Sequence, residues 1–311
     1  MSPDTWQLLQ TGGALANLTD HVRLSLSGPD AVRYLNGQVT NDVRKLHPGQ
    51  ALTACVTNHK GKLEAFVYLT TDAEGSLFIS GPADLRDFLP LRLEKYLIAD
   101  DCRLDDLTGS TALLHVIAPL EKITPHLLPD EHPAATSRFG LPGYDLWTTP
   151  ERLPFWSQQF PALSGDDLST LEVIFSIPAW GAELTPDLLP PEAGLDATAI
   201  DYHKGCYIGQ EVISRIRSVG RVNRLLTHLI QTEGPPVERG FFILPPDLPG
   251  PEETANLPTP RTTAGQITRT AAHPITGQIH ALAFLRRGSC GPFRSGPDIT
   301  FPNAVLHPKD S

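Results

Sequence analysis

The sequence predicts an α+β protein with largely antiparallel sheets, followed at its C-terminal end by a small β-barrel. Three observations carry that reading. Between residues 22 and 148, pairs of strand-like runs alternate with helical segments. No Gly-x-Gly-x-x-Gly turn or phosphate-loop lysine accompanies them, so a doubly wound nucleotide-binding sheet has no support. After Asn223-Arg224 the texture shifts to short strands with little helical patterning between them.

The elements follow in order. Residues 22–26 read as a strand, and a Gly-Pro-Asp turn leads into a helix over 30–38. Runs 52–57 and 63–70 are strands joined by the polar turn Asn58-His59-Lys60-Gly61, and 76–80 continues the strand pattern. Leu85, Phe88, Leu89, Leu93 and Leu97 give 84–97 a helical period. Strand patterns recur at 111–117 and 144–148, then in the tail at 225–231, 241–244, 264–270 and 279–285. Residues 245–260 hold six prolines and several acids, the composition of an exposed connecting loop.

Bulk properties narrow the function. At 311 residues the chain can build two or three cores, and 40% hydrophobic with 19% charged residues is ordinary for a soluble protein. Thirty-five acids against 25 Lys and Arg leave a net charge of −10, which argues against a broad nucleic-acid surface. No run approaches the roughly 20 apolar residues of a membrane span. The start, Met1 to Trp6, lacks the basic and apolar regions of a secretory signal, so a cytoplasmic location is expected. Cys55, Cys102, Cys206 and Cys290 lie far apart, a pattern of reduced thiols without a disulfide framework or a self-contained metal or cluster site.

The densest chemistry is the run Lys204-Gly205-Cys206-Tyr207-Ile208-Gly209-Gln210-Glu211. From Gln210 onward, Val212, Ile213, Ile216 and Val219 fall on one helical face, with Glu211, Ser214, Arg215 and Arg217 on the other. Glu211 and Arg215 stand in the favourable order for an ion pair four residues apart. The glycines make a turn feeding a helix N-terminus, where the backbone dipole and the Lys204 ammonium would both favour a thiolate at Cys206. The same residues are also compatible with a small buried cysteine in an ordinary turn. Arg215, Arg217, Arg221 and Arg224 form either a solvated face or an anion site suited to carboxylates.

With its surroundings, this octapeptide resembles the YgfZ-type folate-binding family, which is related to the glycine cleavage T-protein. The resemblance includes Ile177-Pro178, Trp180 to Leu184, Leu189 to Glu192, and Arg215 through Gly220 to Asn223-Arg224. It extends to Ser27 to Ala31 and Tyr34 to Val43 near the N-terminus, and more weakly to Gly265 to Thr268, Ala281 to Ala283 and Arg286. It implies two ferredoxin-like units, one discontinuous, within residues 1–220, and a barrel over 221–311 around a folate-sized cavity.

It further implies a tetrahydrofolate-binding accessory protein for iron–sulfur cluster assembly or repair, with clients that include tRNA-modifying enzymes. Cys206 would be the functional thiol. Lys204, Gly205, Tyr207, Gly209, Gln210, Glu211, Arg215 and Arg224 would shape the folate site. Two departures stand out. The T-protein glutamate that contacts folate, within an Arg-x-Glu-Ala-Gly-like stretch, aligns with Ile174, and Glu172 lies two residues away. The T-protein aspartate that assists aminomethyl transfer falls in the segment Gly61 to Phe66, where Ala65 and Phe66 cannot move a proton. Aminomethyltransferase activity is therefore not expected. The alternatives are a one-carbon transferase using another carboxylate and a cysteine-based redox protein.

Overall fold

The computed structural model describes residues 1–218, 220–244, 263–289, 293–294, 300–301 and 304–305. Its first sheet has five antiparallel strands in the order Leu52–Thr57, Leu63–Thr71, Leu77–Gly81, Val22–Ser27 and Arg103–Asp106. Alternation along Leu63–Thr71 sends Leu63, Ala65, Val67 and Leu69 into the interior and leaves Glu64 and Phe66 on the other face. Ala31–Gln38 lays Ala31, Tyr34 and Leu35 on this core, and Leu89 and Leu93 of Leu89–Glu94 complete it.

The second sheet is drawn from two separate stretches, in the order Ala14–Asn17, Ala112–Ile117, Gly143–Thr148 and Ala134–Thr136. Both of its faces are covered. Leu113 and Ile117 pack with Leu171 of the helix Gly165–Ile174, while Leu114 and Val116 pack with Trp156 of the helix Leu153–Gln159. Strand Ala112–Ile117 is accordingly apolar at nearly every position. Buried Arg138 joins the two sheets, pairing with Asp145 at 2.7 Å, donating to Ser80 Oγ at 2.7 Å and stacking 3.6 Å from the Tyr68 ring centroid.

The third sheet orders Phe242–Ile243, Gly265–Ala272, Ile279–Arg286, Arg224–Ile230 and Ala304–Val305, with a separate pair, Phe293–Arg294 and Thr300–Phe301. A register shift between Ile267 and Arg269 kinks its second strand. Such bulges re-aim side chains. Here Thr268 and Arg269 reach the preceding region: the Thr268 hydroxyl lies 2.5 Å from Glu183 Oε1, and Arg269 pairs with Glu183 at 2.8 Å and Glu172 at 2.5 Å.

The helix expected over 84–97 is broken into a 3-10 turn, Ala83–Leu85, and the α-helix Leu89–Glu94. Pro90 accounts for this. It has no N–H to donate and fits only the first turn of a new helix. Edge strands Arg103–Asp106 and Ala134–Thr136, and the helices Pro3–Thr11, Leu153–Gln159 and Gly165–Ile174, add to the elements expected from periodicity. The proline-rich stretch 245–260 lies outside the described residues, as does Cys290. Among the described residues, no helix is long and apolar enough to cross a membrane.

Candidate functional site

The octapeptide and the N-terminal block Tyr34 to Val43 form one structure. Lys204 is buried, and its ammonium donates to the carbonyls of Asn36 at 2.6 Å, Val39 at 2.6 Å and Asn41 at 2.7 Å. Those carbonyls belong to the turn that ends helix Ala31–Gln38 and have no helical partner. Thr40 donates its hydroxyl to Ala199 O at 2.5 Å, and the Asp201 amide donates to Thr40 O at 3.0 Å. The Asn41 amide bridges Thr53 O at 2.8 Å and Thr198 O at 3.1 Å. Lys45 pairs with Asp201, holding its carboxyl below the usual range.

Burial pulls the Lys204 ammonium down to about 8, and the nearby Asp42 carboxylate acts against that pull. Its three hydrogen bonds give it a bracing role. The same holds for Gly209. Its φ is +87°, and a Cβ there would stand 2.5 Å from Asn58 O and 2.9 Å from Thr57 Oγ1. This close approach lets the Thr57 hydroxyl donate to Ile208 O at 2.6 Å. It also sets Gly61 of the 58–61 turn against Val212 and Ile213 of the following helix. Gly205 differs: it is absent from the positive-φ glycines and faces open space.

The helix runs Gln210–Ser218 as expected and buries Ile213, while Val219 lies outside the described residues. Glu211 and Arg215 are both exposed and form no ion pair among the described residues, so the expected pair is not made. Arg224 is engaged elsewhere, 3.4 Å from Glu192 and 4.5 Å above the Phe284 ring centroid. Tyr207 packs with Ile200 and Ile213, and its buried hydroxyl has no hydrogen-bond partner. Burial raises its pKa. Gln210 is half-buried at the helix start.

Cys206 is exposed between these braced neighbours. Of the other described thiols, Cys102 is half-buried and Cys55 is fully buried, its pKa pushed up to about 12 by desolvation. His203 is exposed; its backbone amide donates to Asp201 at 2.7 Å, and that carboxylate is held by Lys45.

The two carboxylates near the altered family positions are also committed. Glu64 pairs with Arg92 at 2.5 Å, and Arg92 donates further to Gln38 Oε1 at 3.1 Å and Thr57 O at 3.2 Å. Glu172, raised by burial despite its neighbour Arg269, closes an ion cluster with that arginine and buried Glu183. Ile174 is half-buried. Ser176, which takes the glycine's place in the family stretch, has φ +60°, and the Ile177 amide after it donates to Glu172 O at 2.7 Å. That is a left-handed helix cap, which accounts for a glycine there.

Behind the octapeptide helix lies a cavity of about 350 Å³, lined in part by Tyr202, Arg217, Arg221 and Arg287. Sequence separation hid Arg287 from the arginine cluster. It reaches the others because its amide donates to Asn223 O at 3.0 Å where the third sheet begins and folds back.

No family model matches the chain. In sequence it is 29% identical over 238 residues to the tRNA-modifying protein YgfZ of Pectobacterium atrosepticum, covering 70% of each chain. It is 26% identical over 239 residues to that of Colwellia psychrerythraea, covering 72% of this chain and 73% of the other. Its fold is that of the glycine cleavage system aminomethyltransferase T from Bartonella henselae, with a TM-score of 0.79 at 16% identity over 95% of this chain and 86% of the other.

Proposed function

We propose that this chain, a sequence relative of the YgfZ proteins with the fold of the T-protein, is a cytoplasmic, tetrahydrofolate-binding accessory protein. In this reading it supports iron–sulfur cluster assembly or repair in client enzymes, including enzymes that modify tRNA. The architecture belongs to the same reading: two ferredoxin-like units over 1–220, one discontinuous, and a barrel over 221–311.

One observation carries the proposal. The two sequence blocks that most resemble the YgfZ-type family meet through Lys204 and present one exposed thiol, Cys206. A thiol on a braced loop is positioned to meet a partner protein, since little conformational freedom is lost on contact.

The donor set around the octapeptide fits part of a folate. Tyr207 offers an unpartnered buried hydroxyl, and Arg217, Arg221 and Arg287 offer guanidinium groups to the carboxylate end. Ile174 supplies no acceptor for the pterin, and the Glu172 carboxylate is taken by Arg269. Bound folate would supply a reduced pterin able to carry one-carbon groups; the chain's own contribution is binding and orientation. Lys204 and Gly209 brace the loop, Gly205, Glu211 and Arg215 are exposed along it, and Gln210 is half-buried at the helix start.

A one-carbon transferase needs a carboxylate at the reacting amine. Glu64 and Glu172 are both held by arginines, which disfavours that alternative. Pairing of Cys206 with Cys55 in a redox mechanism is disfavoured, because Cys55 is buried.

The test is anaerobic calorimetric titration of tetrahydrofolate into the reduced protein, beside Arg215→Ala and Arg217→Ala. Saturable binding weakened by either substitution supports the folate reading. A folded protein that takes up no heat of binding from any folate form refutes it.

A further inference from the structure

A second cavity, of about 360 Å³, opens between the first two sheets and has no octapeptide residue in its lining. Thr70 and Phe78 stand opposite each other on adjacent strands of the first sheet, so their side chains share a face. From the second sheet comes Trp147, whose ring centroid lies 5.2 Å from that of Phe78 at an interplanar angle of 50°. Rings inclined in this way leave part of each face uncovered, and an aromatic face attracts cations. Ala134 and the exposed Leu128 extend the apolar surface. The volume and this lining are those of a small-ligand site.

The polar groups set the ligand's charge. Asp72, Glu74 and Asp130 line the cavity, and none of them forms an ion pair among the described residues. Arg152, in the same lining, is already matched: it pairs with Glu131 at 3.2 Å and donates to His126 O at 2.7 Å. Three carboxylates are left over, which disfavours an anion. Thr70 adds a directional group. It is only 6% exposed, and its hydroxyl has no hydrogen-bond partner among the described residues, whereas those of Thr71 and Thr148 donate to Ser76 O and Glu131. Beside Phe78 on the cavity face, the Thr70 oxygen is placed to accept from an ammonium N–H.

Several carboxylates around aromatic and aliphatic surface call for positive charges separated by methylene groups. We propose that this cavity binds a linear aliphatic polyamine. Its ammonium groups are shared among Asp72, Glu74, Asp130 and the Thr70 hydroxyl, and its methylenes lie on Phe78, Trp147 and Leu128. A metal ion leaves the rings unused, and a neutral amphiphile leaves the carboxylates unmatched. The site is independent of the folate reading.

The experiment titrates spermidine into the full-length chain by calorimetry, with butylamine, hexane-1,6-diol and magnesium chloride as comparison ligands at matched ionic strength. The variants are Glu74→Gln/Asp130→Asn, Phe78→Leu and a control at exposed acids outside the cavity, Asp87→Asn/Glu121→Gln, each checked for an unchanged melting temperature. One spermidine per chain should bind with a dissociation constant below about 1 mM, at least about tenfold tighter than butylamine. Glu74→Gln/Asp130→Asn and Phe78→Leu should each weaken it at least about fivefold, and the control less than about twofold.

No saturable binding up to about 10 mM overturns the inference. Equal weakening by the control overturns it too, because the acids then act only through net charge. So does binding of the diol as tight as that of spermidine, or one-for-one displacement of spermidine by magnesium. Glu74 and Asp130 are exposed, so their double variant keeps the fold and decides the matter if Phe78→Leu melts early. Weakened binding there and not in the control supports the site, and unchanged binding overturns it.

Discussion

The Lys204 ammonium lies 2.6 Å from the Val39 carbonyl oxygen, tying the start of the octapeptide to a turn 165 residues earlier in the chain. The same ammonium donates to Asn36 and Asn41. A charged group shared by three carbonyls is a structural clamp, and its removal leaves the buried Val39 and Asn41 carbonyls and the part-buried Asn36 carbonyl without that donor. Lys204→Met is therefore expected to destabilise the fold by about 3 kcal/mol. Urea denaturation measures it, and a loss below about 1 kcal/mol would reject the clamp.

The two motif glycines are expected to respond differently. Gly209→Ala places a methyl group 2.5 Å from Asn58 O at a φ of +87° and should cost more than about 2 kcal/mol. Gly205→Ala points its methyl into open space and should stay within about 0.5 kcal/mol of wild type. Equal destabilisation of the two variants, read from denaturation midpoints, would refute this assignment.

Ser176 closes helix Gly165–Ile174 in the left-handed region, where a side chain costs about 1 kcal/mol. Ser176→Gly should accordingly raise stability by about 1 kcal/mol without altering the cap bond from the Ile177 amide to Glu172 O. A less stable variant would show that the serine hydroxyl contributes more than the backbone strain removes.

Acid sensitivity should begin with histidines. Burial depresses His21 to about 3 and His280 to about 4, and also lowers His115 and His228. The unfolded chain, with histidines near 6.5, binds more protons between those values, so stability falls as pH falls from 6.5 toward 4. Asp42 and Asp201 are lowered as well, but their loss begins only near the unfolded value of 3.8. Glu172 is raised and works in the opposite sense. Denaturation midpoints at pH 7 and 4.5 should therefore differ, and His280→Asn should reduce the difference. A flat wild-type profile would contradict the shifts.

How much of this was legible in the sequence depends on the range of the signal. Strands 52–57 and 63–71 and helix Gln210–Ser218 follow from local alternation and period, and they stand where expected. At the sheet edges, Arg103–Asp106 is too polar and Ala134–Thr136 too short for a period-two pattern to mark them. Helix Gly165–Ile174 did carry a local sign, the Ser164 and Asp167 capping box. The octapeptide pointed to the site, but the direction of a long side chain such as Lys204 is set by tertiary packing. Lys204 therefore serves the turn at Asn36 to Asn41. Likewise Arg287 joins Arg217 and Arg221 only because the third sheet returns to the helix, a contact that no local pattern encodes.

The central claim is that this braced loop exists to present Cys206. The most direct measurement is complementation of cells deleted for their own YgfZ relative, read as the level of a tRNA modification that depends on an iron–sulfur enzyme. Because Cys206 is exposed, Cys206→Ala should fold within about 0.5 kcal/mol of wild type. The account predicts that the wild-type chain restores the modification and that the equally abundant Cys206→Ala variant does not. Full restoration by the variant would contradict it.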